Sequence, residues 1–482
     1  MEEMLDLNHY IFNETLLKLP SSIQYSARAL FDILDSSLDP QISIIAIPFD
    51  AQSETLVART EKIECEPAWF KKIKSTVTGI PEYYFDSLAP DIQGVLWQER
   101  VKIKQAVQRI IDKKSNTSGY RGFTIFPDFQ KNHSMSIVLY LSKEALLSHY
   151  SLKRNSIRPF PVETSLIYEV IDCFLRECAS PVRNPHLRDN GEELLRQAGY
   201  WLMETPGKVT GHRSSESLFH TLNIISSMRY EGAEGSGKII ISPRNHPSID
   251  VAVTLRNPVS LANYRGVRKL LEITSSEIQL LCDSNKIYGM GFADMQSYDE
   301  SKENLFHIEF TGHHIWKLCH AKNELMIVKY GKPRLIEKPI STDLFFESAK
   351  TIFSNINSSD LECLWSIVDK ASKQKHGTMI VISDRAKEEA ERLRNQSTPI
   401  QAKILPPDLT LPLSSIDGAL LLDTKAICHA VGVILDGIAT ERGNPARGAR
   451  YNSAIRYSEY VKTQKHACLI VVISEDGMID LI

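Results

Sequence analysis

Apolar residues recur along this chain in two rhythms, and the rhythm changes mark its elements. Ile42–Pro48 is a nearly unbroken apolar run of strand length, preceded by a helical start at Ser26–Leu34. Gln98–Lys114 predicts a long charged helix, and Phe123–Phe126 with Ser136–Leu141 predicts a strand pair. At Ile157-Arg158-Pro159-Phe160-Pro161 a helix cannot continue, because proline restricts both itself and its predecessor. In Thr164–Cys178 the residues Ile167, Val170, Ile171, Phe174 and Leu175 fall on one stripe, which predicts an amphipathic helix. Pro181–Gly211, richer in Arg, Asn, Pro and Gly, predicts a linker with one short helix around Glu192–Met203.

Beyond it the pattern repeats. One helical stripe (Leu218, Leu222, Ile225) has a counterpart in Leu361, Leu364 and Val368. Gly237-Lys-Ile-Ile-Ile-Ser242 matches Gly377-Thr-Met-Ile-Val-Ile-Ser383, each a glycine followed by a β-branched strand. Ile278-Gln-Leu-Leu-Cys-Asp283 matches Gly418-Ala-Leu-Leu-Leu-Asp423, and the serine-to-aspartate separations differ by a single residue. Lys286–Gly289 and Ala426–His429 then give short strands after a turn. A helix and an apolar strand close each copy, with Leu325–Val328 paired to Leu469–Ile473. Matched spacing over five elements favours duplication. The expected organisation is an N-terminal α/β sensor-like domain (residues 1–158), a helix and linker (159–213), a degenerate copy (214–337) and a C-terminal domain (341–482).

Composition narrows the class. A chain of 482 residues, 43% hydrophobic, has material for about three packed domains. Its 56 basic and 59 acidic residues are interspersed, so no polyanion-coating role and no nucleic-acid partner are expected. No apolar run approaches membrane-spanning length and the acidic N-terminus lacks a signal core, so a cytoplasmic location is expected. The eight cysteines form no CxxC pair and fit reduced, buried thiols. His307, His313, His314, Cys319 and His320 crowd one stretch, but without zinc-site spacing, so surface and core histidines are the better reading.

Specific chemistry is concentrated near the C-terminus. Asp417-Gly418-Ala419 opens an apolar strand, and a glycine- and arginine-rich loop, Glu441–Arg450, runs into a helix at Tyr451–Lys465. The strand Ile470–Ile473 leads into Ser474-Glu475-Asp476. Glycines let a backbone approach phosphates, a helix N-terminus favours anions, and arginines add bidentate donors. Carboxylates at strand ends suit a hard cation. Each feature alone is more often an ordinary surface loop or turn acid.

Together, in this order and spacing, they resemble the diadenylate cyclase domain. That family carries a DGA motif, a GTRHRAA-like motif about thirty residues on, and a strand ending in Ser-Glu-Glu. The matches are Asp417-Gly418-Ala419, then Gly448-Ala449-Arg450-Tyr451-Asn452-Ser453-Ala454, then Ser474-Glu475-Asp476; Gly377–Ser383 is similar to the family's GALIVI strand. The resemblance implies an α/β domain with a mixed sheet flanked by helices, condensing two ATP into cyclic di-AMP with Mg²⁺ or Mn²⁺. Asp417 and Arg450 would be catalytic, Asp417 also a metal ligand with Glu475 and Asp476. Gly418, Ala419 and Leu435 would line the adenine and ribose, while Gly448, Arg450 and Ser474 would hold phosphate. The family's Thr, His and second Arg are replaced by Ala449, Tyr451 and Asn452, and Arg442 and Arg447 lie in the same loop to compensate. One site holds one ATP, so a homo-oligomer with facing C-terminal domains is implied. The middle copy has Glu277-Ile278-Gln279 where DGA should stand, and Phe310–Trp316 in the region of the arginine loop. The competing reading is a degenerate domain that binds nucleotide without turnover. The first domain's alternation of strands and helices is similar to GAF-type sensor domains, though no motif carries that likeness.

Overall fold

In the computed structural model the described residues are 19–49, 52–60, 62–73, 90–115, 118–130, 133–153, 163–178, 190–209, 217–231, 235–275, 277–336, 342–374, 377–437, 448–473 and 479–482. The chain forms two compact units, Met1–Ile336 and Glu337–Ile482.

The first unit begins with a helix, α1 (residues 19–31), and strands β1 (Gln41–Pro48) and β2 (Leu56–Arg59). The long charged helix α2 (Pro90–Ser115) follows, then β3 (Tyr120–Thr124), β4 (Asp128–Gln130), β5 (His133–Ser142) and α3 (Lys143–Ser148). The five strands make one sheet, ordered β2-β1-β5-β3 with β4 beside β5. All of β1 is buried, because both faces of this sheet are covered. Ile42, Ile44 and Ala46 enter the large core with α1, whereas Ile45 and Ile47 pack towards α2.

Two helices, α4 (Leu166–Cys178) and α5 (Gly191–Lys208), join this sheet to the next. The stripe predicted in α4 is buried as expected. The expected linker behaves differently: α5 runs for eighteen residues and buries Leu194, Leu195, Ala198, Leu202 and Met203 in the same core. Its glycine hides the reason, since a Cβ at Gly199 would meet the Pro333 ring at 2.5 Å, and only a bare position permits that approach. The proline joint at 157–161 lies outside the described residues.

Next come α6 (Leu218–Ser227), β6 (Gly237–Ile241), β7 (Ile249–Ser260), α7 (Tyr264–Leu271), β8 (Gln279–Cys282) and β9 (Lys286–Ala293). The meander β10 (Phe306–Gly312), β11 (Ile315–His320), β12 (Asn323–Lys329) and β13 (Lys332–Arg334) completes the first unit. The second unit contains α8 (Thr342–Ile352), α9 (Ser358–Ala371), β14 (Thr378–Ser383), α10 (Ala386–Arg392) and β15 (Thr398–Ile404). After them come α11 (Pro407–Ser414), β16 (Ala419–Leu422), β17 (Ile427–Val433), α12 (Ala449–Thr463), β18 (Cys468–Ile473) and β19 (Ile479–Leu481).

The two sheets share a topology. The second unit runs β15-β17-β16-β14-β18-β19, and six strands of the middle sheet run β7-β9-β8-β6-β10-β11. In each, one pair alone is parallel: β14 with β16 (Ile380 opposite Leu420) and β6 with β8 (Ile239 opposite Leu280). The matched aspartates do the same local work. Asp283 accepts the N–H groups of Asn285 and Lys286, and Asp423 those of Lys425 and Ile427, each turning the chain into the next strand. The shared strand order therefore matches four of the five paired elements. The fifth pairing is corrected: the strand in the place of β18 is β10, and Leu325–Val328 lies two strands further out, in β12. Residues 294–305 join β9 to β10 through a short 3₁₀ turn, Glu300–Lys302, where the second unit inserts a loop and the helix α12. The counterpart of the arginine loop is thus 294–305, while Phe310–Trp316 belongs to the β10–β11 hairpin.

Candidate nucleotide site

The second unit is a mixed sheet with helices on both faces. Strand alternation sends Met379 and Val381 towards α10 and α12, and Ile380 and Ile382 towards α8 and α9. Register brings four strand ends to one edge: Met379 pairs with Ala419, Ala419 with Val433, and Thr378 with Ile473. The starts of β14 and β16 and the ends of β17 and β18 thus meet, and the motifs follow from these ends.

Asp417 sits at this edge with its side chain 88% exposed. Its Oδ1 accepts the Gly418 N–H (3.2 Å) and stands 3.4 Å from an Arg450 guanidinium nitrogen. Gly418 has φ +108°, and a Cβ there would lie 2.6 Å from the carbonyl carbon of Gly432, itself at φ +62°. Two glycines at the mouth of the β16–β17 pair therefore let the backbones close, which holds the Asp417 carboxylate outward. Gly432 escaped the sequence reading, since a lone glycine in Ala430–Val433 carries no motif.

Arg450 is delivered by the first turn of α12. Gly448 is its N-cap, with open space where a side chain would be, and its carbonyl accepts the Asn452 N–H (3.2 Å). The first N–H groups of an α-helix lack intrahelical partners and its N-terminus carries partial positive charge, so anions are favoured beside Gly448 and Ala449. The Asn452 amide donates back to the Gly448 carbonyl (3.3 Å), so the residue standing for the family's second arginine folds onto its own helix end. Tyr451 is half-buried against the core of this face. Ala419 and Leu435 are buried in that same core with Ala454 and Tyr457, so they support the site from beneath. Arg442, Arg447, Ser474, Glu475 and Asp476 lie outside the described residues.

A charged lattice fixes α12. Buried Glu389 accepts the Tyr457 hydroxyl (2.7 Å) and the Nε and Nη2 donors of Arg392, which also grips Asp436 at the exit of β17 and covers Tyr460. Burial and the neighbouring carboxylate push the Tyr457 phenol far above its ordinary range, so it stays a donor. Gly437, at φ +142°, lets this exit pass the Arg456 carbonyl, which a Cβ would approach to 2.7 Å.

The middle sheet has none of this. Glu277 and Ile278 precede β8 without a left-handed backbone, and no helix faces them from the β9–β10 connection. Among its histidines, the rings of His313 and His314 lie 4.3 Å apart. His320 sits between the hydroxyls of Tyr150 (2.9 Å) and Tyr298 (3.0 Å), and His307 contacts Met295. Among the described residues no group of three potential metal ligands assembles.

No curated protein matches the chain. Three family models do. Residues 18–203 match "Probable sensor domain DACNG" and residues 216–322 match "Probable sensor domain DACNH". Residues 366–482 match "DisA bacterial checkpoint controller nucleotide-binding", the region that holds Asp417 and Arg450. The chain thus carries a C-terminal nucleotide-binding domain of the diadenylate cyclase family behind sensor-type domains of the DACNG and DACNH families.

Proposed function

We propose that the chain is a diadenylate cyclase, condensing two ATP into cyclic di-AMP and two pyrophosphates under the control of its N-terminal domains. One observation carries this reading: an open aspartate carboxylate of the DGA motif stands 3.4 Å from an arginine at a helix N-terminus. The competing reading, binding without turnover, has less to recommend it, because a pure nucleotide binder has little use for an outward carboxylate beside triphosphate.

Each 3′-hydroxyl would attack the α-phosphorus of the opposite ATP in line, forming one P–O bond as the bond to pyrophosphate breaks. Two such steps close the ring. Arg450 and the N–H groups at Gly448–Ala449 would hold phosphate and take up charge as pyrophosphate leaves. Mg²⁺ or Mn²⁺, if held by Asp417 with Glu475 and Asp476, would supply charge neutralisation at the phosphates. The open Asp417 carboxylate suits such an oxygen-seeking cation. Ring closure needs two occupied sites facing one another, hence a homo-oligomer through C-terminal domains. Among the described residues no helix is long and apolar enough to cross a membrane.

The test is incubation of the full chain with ATP and Mn²⁺ or Mg²⁺, with products separated and weighed by mass spectrometry. Cyclic di-AMP with two pyrophosphates per product is expected. ATP bound without turnover under both metals would move the protein to the binding-only reading.

A further inference from the structure

The two sensor-type domains of the first unit meet at one histidine. Residues 149–153 lie in the stretch that matches DACNG, whereas Tyr298, Glu303 and His320 lie in the stretch that matches DACNH. His149 grips Asp35 (2.8 Å), which fixes the end of α3 to the turn ahead of β1. The next residue reaches the other way: the Tyr150 hydroxyl stands 2.9 Å from Nδ1 of His320, a side chain 0% exposed. Lys153 donates its backbone N–H to the Glu303 carboxylate (2.6 Å). Both contacts fall on or beside residues 294–305, the β9–β10 connection that stands where the second unit places its arginine loop and α12.

The hydrogen bonds around His320 all run in one direction. The Ser248 N–H donates to Nδ1 of His246 (3.2 Å), so Nε2 of that ring carries the proton and donates to the Asn304 side-chain oxygen (3.0 Å). The Asn304 N–H donates to the Tyr298 oxygen (3.1 Å), and the Leu305 N–H is directed there too. With its lone pairs so engaged, the Tyr298 hydroxyl gives its own proton to Nε2 of His320 (3.0 Å). Burial keeps the His320 ring neutral, so its proton sits on Nδ1 and Tyr150 is the acceptor. Without Tyr150 a buried N–H is orphaned. Moving the proton to Nε2 gives no escape, because the Tyr298 oxygen would then face a further donor while its own hydrogen lost its acceptor. The loss is therefore felt at Asn304 and Leu305. An element able to yield lies just before them: the 3₁₀ turn Glu300–Lys302 closes on Glu303 at φ +48°, a left-handed backbone that a glutamate resists.

We propose that this joint is a conformational relay: the first domain holds the 294–305 connection in its observed state through Tyr150 and Lys153, and a change in the first domain releases it. On release Glu303 leaves the left-handed region, and the disturbance passes along Tyr298, Asn304 and His246 to Ser248, at the start of the edge strand β7. The connection that in the second unit carries the arginine loop and its helix serves in the middle domain to read the neighbouring domain. The relay operates whether or not the second unit turns over ATP.

The experiment is hydrogen–deuterium exchange of the full chain, read by mass spectrometry, with Tyr150→Phe, Tyr298→Phe and the double variant. Each substitution keeps its ring and removes only a hydroxyl. Tyr150→Phe should speed exchange across residues 299–305 by about tenfold, while the strands β1 to β5 exchange as in wild type. The double variant should exchange there no faster than the faster single variant, since a chain already broken is not broken twice. Unchanged exchange at 299–305 in Tyr150→Phe overturns the proposal. A rise spread evenly over the first unit overturns it too, because the hydroxyl would then serve general stability. Single effects that multiply in the double variant would make the two contacts independent, and refute the relay equally.

Discussion

Tyr457→Phe isolates one hydrogen bond that holds the candidate nucleotide site together. The ring stays, so no cavity opens, and only the 2.7 Å donation to Glu389 is lost. Both residues are buried, Tyr457 at 0% exposure and Glu389 at 6%, so water cannot replace the donor. A hydrogen bond to a buried carboxylate is worth about 1.5–3 kcal/mol. Glu389 would keep its contacts with Arg392, which places the loss near the lower end, about 1.5–2 kcal/mol. For a unit of roughly 150 residues that is a fall of about 3–8 °C in melting temperature. Glu389→Ala should cost more, about 3–5 kcal/mol, because it strands both the phenol and part of the Arg392 guanidinium. Circular dichroism melts of the full chain, with ATP binding measured in parallel, check this. Affinity should fall with stability, since the lattice positions the helix that carries Arg450. A Tyr457→Phe protein melting within a degree of wild type would show that the lattice does not bear on α12.

Other outcomes can be stated briefly. Asp417→Asn should abolish cyclic di-AMP while leaving the melting curve unchanged, because the side chain is 88% exposed; mixed with wild type it should depress product beyond simple dilution. Gly418→Ala should fail to fold normally or lose about 3 kcal/mol or more, since its Cβ would sit 2.6 Å from the Gly432 carbonyl carbon at φ +108°; circular dichroism decides. Burial lowers the His320 and His307 imidazoles to about 4, against an ordinary 6.5. The unfolded chain then binds more protons between those values, so stability present above about pH 6.5 is lost as pH falls towards 4, roughly 3 kcal/mol for each imidazole. Denaturant melts of the first unit at pH 4.5 and 7.5 that agree within error would contradict the assignment.

How much of this was legible in the sequence depended on the range of the interaction. The stripes of α4, α6 and α9 and the β-branched runs of β6 and β14 follow from local periodicity, and all are buried as predicted. Asp417 and Arg450 carry motif spacing, and the register of β16 against β17 with the start of α12 brings them together. What stayed hidden is tertiary. Gly432 has meaning only opposite Gly418, and Gly199 only opposite Pro333. Glu389 and Arg392 look like a solvated helical charge pair until Tyr457 and Asp436 arrive from distant sequence. The segment expected as linker is rich in polar residues, yet α5 buries one stripe in the core and exposes Tyr200 and Trp201. The error over the last matched element has the same origin: apolar strands of the middle sheet resemble one another, and sequence spacing could not say which one lies beside β6.

That corrected element decides what the middle domain can contribute to the proposed reaction. Its six-strand frame, its parallel pair and its aspartate turn are those of the second unit. A difference in side chains alone, Glu277-Ile278-Gln279 for DGA, would leave open a weak ATP site. The absence of a counterpart to α12 is more severe. It removes the helix N-terminus and the arginine together, so phosphate would meet only the β9–β10 loop, and the face carries a small cluster of Ile240, Leu281, Tyr288, Tyr298 and Leu305 instead. Substituting DGA for Glu277–Gln279 should therefore restore no nucleotide binding to this domain. Equilibrium dialysis with ATP on the Asp417→Asn background, with and without that substitution, measures it. Equal retention by the two proteins is the expected result. A second binding stoichiometry appearing with the DGA substitution would mean that the sheet edge grips ATP without α12, and that one chain can present both halves of a cyclase.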